Sequence, residues 1–308
     1  MSWGVVGLVL LFVGGELLIR GAAGLASRFG LSRLAIGLTV VAFGTSVPEL
    51  LVSVDAALSD ANDISVGNVV GSNIANIALV LGLAAVMRPM LVESKVLGVD
   101  IPIMILVSFI LVAMLASGYV TRLEGTMLAA GLVLYVWLTF RLARASAPSG
   151  DPAQADFLVP AGGVAKLAVL IGAGLVMLFV GAHLLVVSAV DLASRLNISQ
   201  VAIGLTIVAV GTSLPELATS IMASIRREGD IAIGNVIGSN TFNILGVLGI
   251  TAAVHPLESG GISWVDLALM GGLAVLLGGL LLNRLYLSRL HGAVFLAVFL
   301  AYTLWRLI

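Results

Sequence analysis

The chain has 308 residues, of which 60% are hydrophobic and 10% are charged, and its formal net charge is −1. Soluble domains carry about 25% charged residues and about 45–50% apolar ones, so this composition excludes a soluble protein. The sequence contains no cysteine, which excludes disulfides, zinc–thiolate sites, iron–sulfur clusters and thiol catalysis.

Apolar segments of about 17–25 residues, the length that crosses a bilayer, recur along the chain. They predict ten membrane spans, at 3–21, 34–58, 64–87, 97–117, 122–143, 164–187, 199–224, 231–253, 263–283 and 288–307. The first segment lacks a basic n-region and contains Glu16 and Arg20, which indicates a span and not a cleaved signal peptide. The Ser-, Pro- and Gly-containing stretch 145–163 is predicted to be a short cytoplasmic linker between two halves, 1–144 and 164–308.

The positions of lysine and arginine predict the orientation. With the N-terminus outside, 12 of the 15 basic residues lie near cytoplasmic ends of the spans, and the reverse orientation inverts that bias. We therefore expect a multi-pass protein of the cell (inner or plasma) membrane with both termini extracytoplasmic.

The two halves repeat each other. Residues 11–83 align without a gap to 178–250 at an offset of 167, with 40 of 73 positions identical. The identity is concentrated in polar motifs, which packing alone would not select, so a duplication kept only for packing is disfavoured. Because five spans are an odd number, the second copy enters the membrane with opposite polarity. The predicted fold is therefore an all-α membrane protein of ten transmembrane helices in two inverted five-helix repeats, an architecture typical of secondary transporters.

The second and seventh spans share the motif GTSxPE, which places Glu49 and Glu216 inside the membrane. A charged side chain there costs on the order of 3 kcal/mol or more, so each glutamate is a functional candidate. Pro48 and Pro215 each remove a backbone donor and free the carbonyl region about four residues earlier. The freed carbonyls, the carboxylate and nearby hydroxyls form an oxygen cluster that suits Ca²⁺ and Na⁺. Those hydroxyls belong to Thr45, Ser46, Thr212 and Ser213. A purely structural proline kink is the alternative, which the paired glutamates disfavour.

The third and eighth spans share GNxxGSNxxN. Ser72 and Asn76 lie four residues apart on one helical face, as do Ser239 and Asn243, so these four are candidates for the wall of the site. The remaining asparagines of the motif are assigned to hydrogen bonds between helices, and the glycine pairs to close helix contact. The assigned asparagines are Asn68, Asn73, Asn235 and Asn240.

Other intramembrane charges are weaker signals. For Glu16 a local ion pair with Arg20 is favoured over a transport role, and His183 is expected to be a core residue. Asp100 and Asp266 are interpreted as helix-start or boundary residues.

The doubled GTSxPE and GNxxGSNxxN blocks resemble the alpha repeats of the cation/calcium exchanger superfamily, most of all its microbial sodium/calcium exchangers. The alpha repeats lie at about 35–83 and 202–250. The resemblance implies ion sites at the midplane, held by the second, third, seventh and eighth helices. It also implies that the first and sixth helices slide across the remaining core. The implied ligands are side chains and two backbone carbonyls, which belong to Ala42, Thr45, Ser46, Glu49, Ser72, Asn76, Ala209, Thr212, Ser213, Glu216, Ser239 and Asn243.

The chain departs from the family pattern in two places. Asn76 and Asn243 stand where family members often carry an acid, and the linker is too short for a regulatory cytoplasmic domain. The expected function is antiport of Ca²⁺ against Na⁺, normally extruding calcium, with proton/calcium antiport as the alternative. A passive channel and an intramembrane enzyme fit less well. We expect no cofactor beyond the transported ions, no nucleic acid, no obligatory protein partner and a functional monomer in the lipid bilayer.

Overall fold

The computed structural model describes residues 2–91, 97–145, 163–195, 209–258, 261–284 and 286–307, which are almost entirely helical. Helices satisfy every backbone hydrogen bond within their own segment, as a bilayer requires. Within the described residues, seven helices are long and apolar enough to cross a membrane, and one bent pair makes an eighth candidate. The chain is a multi-pass membrane protein.

The helices of the first half are α1 (Ser2–Phe29), α2 (Arg33–Ile36), α3 (Ala42–Thr45), α4 (Val47–Leu58), α5 (Asn62–Ala75), α6 (Gly82–Met87), α7 (Leu97–Ala116) and α8 (Arg122–Ala145). Those of the second half are α9 (Val164–Arg195), α10 (Ala209–Gly211), α11 (Leu214–Ile225), α12 (Gly229–Phe242), α13 (Gly249–Val254), α14 (Trp264–Arg284) and α15 (Arg289–Leu307). Wider π-helical turns occupy Gly37–Val41, Asn76–Leu81 and Asn243–Leu248. The short strands are β1 (Met90–Leu91), β2 (Tyr119–Val120), β3 (Leu257–Glu258) and β4 (Tyr286–Leu287).

Two antiparallel strand pairs join the halves. β1 pairs with β4, with Met90 opposite Leu287, and β2 pairs with β3, with Val120 opposite Leu257. At the repeat offset of 167, Met90 corresponds to Leu257 and Val120 corresponds to Leu287. The two pairs are therefore the same contact with the halves exchanged, which is an approximate two-fold relation.

Helices α1 and α9 meet through glycine backbones. A Cβ on Gly7 would lie 2.7 Å from the carbonyl oxygen of Gly181, and one on Gly14 would lie 2.8 Å from that of Gly174. Only glycine allows helices to approach this closely. At the same offset, Gly7 corresponds to Gly174 and Gly14 corresponds to Gly181. These glycine contacts between α1 and α9, the glycine seam, therefore follow the same two-fold relation.

The signature motifs lie in the centre of the molecule. Within an 18-residue apolar stretch of each segment, 89% of the residues are buried in Gly229–Val254 and 78% in Asn62–Met87, against 22% in each of Arg122–Leu142 and Val164–Leu192. The peripheral helices leave apolar side chains exposed, as lipid-facing surfaces do.

One of the two predicted glycine contacts is confirmed. A Cβ on Gly238 would lie 2.5 Å from the carbonyl oxygen of Leu38, which brings α12 directly against the π-helical turn Gly37–Val41. The equivalent contact of Gly71 would involve the segment around 205, which lies outside the described residues.

The prediction of ten spans is not confirmed at every position. The second span is bent by 42° between Thr45 and Val47. The seventh, 199–224, begins at 199–208, outside the described residues, and its described part ends in the 12-residue helix α11. Helix α15 has 19 residues with an arginine near each end and is not among the seven membrane-spanning candidates. The linker residues 146–162 also lie outside the described part.

Glu16 makes the predicted ion pair and one more. It pairs with Arg20, one turn along α1, and also with Arg226 just after α11, whose Nε lies 2.7 Å from Glu16 Oε2. The second pair joins α1 to the helix that carries Glu216.

One of the weaker expectations was wrong. His183 is exposed, because its position on α9 faces away from the core. Asp100 lies in the first turn of α7, as predicted, although it is 1% exposed and accepts a hydrogen bond from Thr139 at 3.3 Å. Asp266 does begin its helix as predicted, because its carboxylate accepts hydrogen bonds from the amide and hydroxyl of Ser263, both at 2.8 Å.

Candidate ion-binding site

The GTSxPE motifs break their helices at the serine. Ser46 lies between α3 and α4 with φ −84° and ψ 4°, and Ser213 precedes α11 with φ −86° and ψ 6°. Pro48 and Pro215 each occupy the first turn of the following helix. Proline is tolerated there because a first-turn amide has no intrahelical acceptor. The motif thus creates a new helix N-terminus at membrane depth in each half.

Each motif glutamate lies in the first turn of that new helix. Glu49 is 1% exposed and Glu216 is fully buried. The partial positive charge of a helix N-terminus favours a carboxylate at this position. Broken helices of this kind form ion sites in secondary transporters, where half-helix ends face the bound ions.

The surroundings of the two carboxylates include residues of both halves. Ser46 donates a hydrogen bond to Glu216 across the interface, with 3.3 Å between Oγ and Oε1. The π-helical turn that begins at Asn243 packs against α4, the helix of Glu49. Its counterpart, which begins at Asn76, packs against α11, the helix of Glu216.

Ser72, Asn76, Ser239 and Asn243 are all buried, with at most 2% exposure. Asn76 and Asn243 each start a π-helical turn. Such turns widen the helix and are frequent at functional sites. The sequence analysis did not predict these π-helical turns. Its only signal for them was that Asn76 and Asn243, where the turns begin, are equivalent positions of the repeat.

Many polar atoms of the predicted ligands have no hydrogen-bond partner among the described residues. Buried polar atoms are normally paired, and an unpaired one costs about 1–3 kcal/mol. A bound cation would give each of the oxygens among them a partner. The atoms are Glu49 Oε1 and Oε2, Ser72 Oγ, Asn76 Oδ1 and Nδ2, Ser213 Oγ, Glu216 Oε2, Ser239 Oγ, and Asn243 Oδ1 and Nδ2.

The remaining predicted ligands lie beside this cluster. The carbonyl oxygen of Ala42 accepts hydrogen bonds from the Ser46 amide at 3.0 Å and from Thr45 Oγ1 at 3.4 Å. Thr45 is buried, Thr212 is partly buried, and Ala209 begins the short helix α10.

Both threonines contact an asparagine of the opposite half. Thr45 Oγ1 lies 3.3 Å from Asn235 Oδ1, and Thr212 Oγ1 lies 3.4 Å from Asn68 Oδ1. The sequence predicted interhelical hydrogen bonds for these asparagines, and that is confirmed. It did not identify the threonines as their partners.

The charge of the cluster suits an exchangeable cation. No group of three or more His, Asp or Glu side chains that could hold a metal occurs in the part of the chain that the structure describes. Two carboxylates among neutral oxygens carry less charge than a tight calcium site, where affinity rises with the number of charged ligands.

Comparisons with known proteins agree with this geometry. The family model described as sodium/calcium exchanger protein matches residues 2–141 and 166–308. The chain belongs to the sodium/calcium exchanger family. Inner membrane protein YrbG of Escherichia coli is 41% identical over 258 residues, covering 82% of this chain and 79% of that protein. Sodium/calcium exchanger MaX1 of Methanosarcina acetivorans is 32% identical over 291 residues, covering 82% and 83% of the two chains.

A solved structure of the sodium-calcium exchanger NCX_Mj has the same fold. It matches with a TM-score of 0.83 at 33% identity, covering 97% of this chain and 96% of that chain. The assignment to the sodium/calcium exchanger family, made from the two signature motifs, is thereby confirmed.

Proposed function

We propose that this exchanger is a secondary active antiporter that moves Ca²⁺ against Na⁺ across the membrane and normally extrudes calcium. The observation that carries the proposal is the pair of buried glutamates, one from each half, surrounded by hydroxyl and amide oxygens without partners among the described residues. The family assignment supports the same two ions.

Antiport follows from the charge of this pair. Two carboxylates neutralise one Ca²⁺ or two Na⁺, so the same oxygens serve both ions in turn. An ionised pair without a cation would be costly in a low-dielectric interior, which discourages movement of the empty carrier. The two ions therefore compete for one site.

Alternating access is the proposed cycle, with ten helices arranged as two inverted repeats in 1–144 and 164–308 and a cytoplasmic linker at 145–163. The reciprocal strand pairs and the glycine seam support this arrangement, because each contact recurs with the halves exchanged. The proposed ligand set consists of the twelve residues that the resemblance implies, of which Ala42 is the first and Asn243 the last along the chain.

We further propose that the protein lies in the cell (inner or plasma) membrane as a functional monomer, with both termini extracytoplasmic. The charges at the ends of the molecule support that orientation. Arg88 and Arg289 line a surface cavity of about 580 Å³ at one end. Asp60, Asp63 and Glu258 line another, of about 430 Å³, at the opposite end of the segment 62–87. Basic residues favour the cytoplasmic side.

The deciding experiment is ⁴⁵Ca²⁺ uptake into proteoliposomes. An outward Na⁺ gradient is expected to drive uptake, and a pH gradient without Na⁺ is expected to drive none. The reverse result would establish proton/calcium antiport instead. Uptake that follows the Ca²⁺ gradient alone would indicate a passive channel.

A further inference from the structure

Two asparagines outside the predicted ligand set connect the halves at the site. Asn68 donates through Nδ2 to the Glu49 carbonyl oxygen at 3.1 Å and to Ser53 Oγ at 2.9 Å. Its Oδ1 lies 3.4 Å from Thr212 Oγ1 in the opposite half. We infer that Asn68 and Asn235 are positioning residues, which turn the hydroxyls of Thr212 and Thr45 so that their oxygens present lone pairs to the transported cation.

The orientation of the Asn68 amide is fixed by its neighbours. A backbone carbonyl can only accept, so the side facing Glu49 O must be the NH₂ group. Ser53 donates its own proton to the carbonyl oxygen of Ser65 at 3.4 Å and therefore accepts from Asn68. The oxygen of the Asn68 amide is left to face the opposite half.

The direction of the threonine hydrogen bond then follows. An amide oxygen carries no proton, so Thr212 must donate to Asn68 Oδ1. A hydroxyl has one proton and two lone pairs. When the proton is directed at Asn68, both lone pairs stay on the Thr212 oxygen, and a cation needs lone pairs.

The second half repeats the arrangement. Asn235, which is fully buried, donates to Ser220 Oγ at 3.1 Å and to the Glu216 carbonyl oxygen at 3.5 Å. Its Oδ1 lies 3.3 Å from Thr45 Oγ1. The other partners of Thr45 within the described residues are the carbonyl oxygens of Val41 and Ala42, which also only accept. The single Thr45 proton is therefore shared among three acceptors, and none of them uses a lone pair of Thr45.

The same motif supplies internal controls. Asn240 donates to the Asn73 carbonyl oxygen at 3.4 Å, and Asn73 Nδ2 lies 3.9 Å from Met270 Sδ. Within the part of the chain that the structure describes, no hydrogen bond of either residue reaches a predicted ligand side chain. Asn73 is therefore a buried asparagine of the same motif whose amide nitrogen contacts a residue outside the predicted ligand set.

The inference rests on the proposed function, and a double-mutant cycle separates it from a structural role. The variants are Asn68→Leu, Thr212→Val and the double variant, with Asn73→Leu as the matched control. Half-saturating Na⁺ and Ca²⁺ concentrations and maximal rates are measured in proteoliposomes. Ion-induced thermal stabilisation of the purified proteins reports binding without transport.

Asn68→Leu is expected to raise the half-saturating concentration of at least one cation about tenfold, equivalent to about 1.4 kcal/mol. The maximal rate should change by less than about twofold. In the Thr212→Val background the same substitution should have no further effect on affinity, because Asn68 acts through Thr212. Asn73→Leu should change thermal stability without changing either affinity.

Additive effects of Asn68→Leu and Thr212→Val on cation affinity would overturn the inference, as would an unchanged affinity in Asn68→Leu. If the variants give either result while the wild-type protein binds Ca²⁺ and Na⁺, the proposed function still stands. Wild-type protein that is stabilised by neither ion and transports neither would overturn both.

Discussion

Ser46 in the first half donates to Glu216 in the second, with 3.3 Å between the hydroxyl oxygen and Oε1. The other carboxyl oxygen of Glu216 has no hydrogen-bond partner among the described residues. One oxygen is thus held by the opposite half, and the other is available to the cation of the proposed site. Cation binding there would depend on how the two halves are placed, which is what coupling of transport to a conformational change requires.

Each glutamate is expected to be indispensable for exchange. Glu49→Gln or Glu216→Gln leaves one negative charge to balance a divalent cation in a buried site. At about 4 Å and an effective dielectric constant of about 20, two unit charges attract each other by about 4 kcal/mol, so one missing charge weakens the interaction with divalent Ca²⁺ by about 8 kcal/mol. We therefore expect ⁴⁵Ca²⁺ uptake to become undetectable, with a normal elution profile in size-exclusion chromatography because glutamine is nearly isosteric.

The control for this substitution is Asp55→Asn, which removes an exposed carboxylate from the same helix as Glu49. Its uptake should match the wild type. Wild-type rates in either glutamine variant would contradict the placement of the site.

The glycine seam between α1 and α9 gives a prediction about stability. A Cβ on Gly174 would lie 2.7 Å from the Leu18 amide nitrogen and 2.8 Å from the Gly14 carbonyl oxygen. Gly174→Ala should therefore destabilise the protein by about 1–3 kcal/mol, because two helices must separate. Gly172, two residues away on α9, has no atom of the described structure within 4 Å of its Cβ position.

Gly172→Ala should be neutral or stabilise the helix by up to about 1 kcal/mol, since alanine favours helices over glycine. Thermal unfolding of both variants in one detergent provides the comparison. Equal melting temperatures would show that the seam does not hold α1 against α9.

The sequence identified those residues whose free-energy cost inside a membrane can be recognised without a structure. A carboxylate at membrane depth is expensive wherever it lies, so Glu49 and Glu216 were identified from their position alone. The repeat then paired each motif residue with its counterpart. The family followed from the same motifs, and the multi-pass architecture followed from the lengths of the apolar segments.

Contacts between residues of different halves could not be predicted from the sequence. Arg20 lies four residues from Glu16, so that pair follows from helical spacing, whereas Arg226 lies in the other half and its approach depends on packing. The contacts of Asn68 with Thr212 and of Asn235 with Thr45 have the same origin. The burial of Asp100 was missed because a position near the start of a span does not reveal which face the helix turns inward.

Exchange is expected to move net charge. Two Na⁺ would neutralise the glutamate pair and give electrically silent exchange, whereas a third carries one net charge inward for each Ca²⁺ extruded. Membrane potential contributes about 2.3 kcal/mol per charge per 100 mV, which would assist extrusion from a negative interior. With the potential set by valinomycin and K⁺, initial ⁴⁵Ca²⁺ flux should change in the direction of net charge movement. A ⁴⁵Ca²⁺ flux that does not change with the membrane potential would indicate two Na⁺ per Ca²⁺.

The final prediction concerns Asn243, which is fully buried at the start of the π-helical turn that packs against the helix of Glu49. Its amide cannot ionise, so K⁺ should neither drive nor be required for transport in the wild type. Asn243→Asp adds a third carboxylate close to the pair, and repulsion between like charges makes the three harder to ionise together.

Acid inhibition of Na⁺-driven ⁴⁵Ca²⁺ uptake should therefore begin at a higher pH in Asn243→Asp than in the wild type, or the variant should accept another monovalent cation. The measurement is uptake against pH, with and without K⁺, in both proteins. Asn76→Asp, the counterpart in the first half, should behave alike because its π-helical turn packs against the helix of Glu216. Identical pH profiles in the wild type and Asn243→Asp, or strict K⁺ dependence of the wild type, would place Asn243 outside the central site.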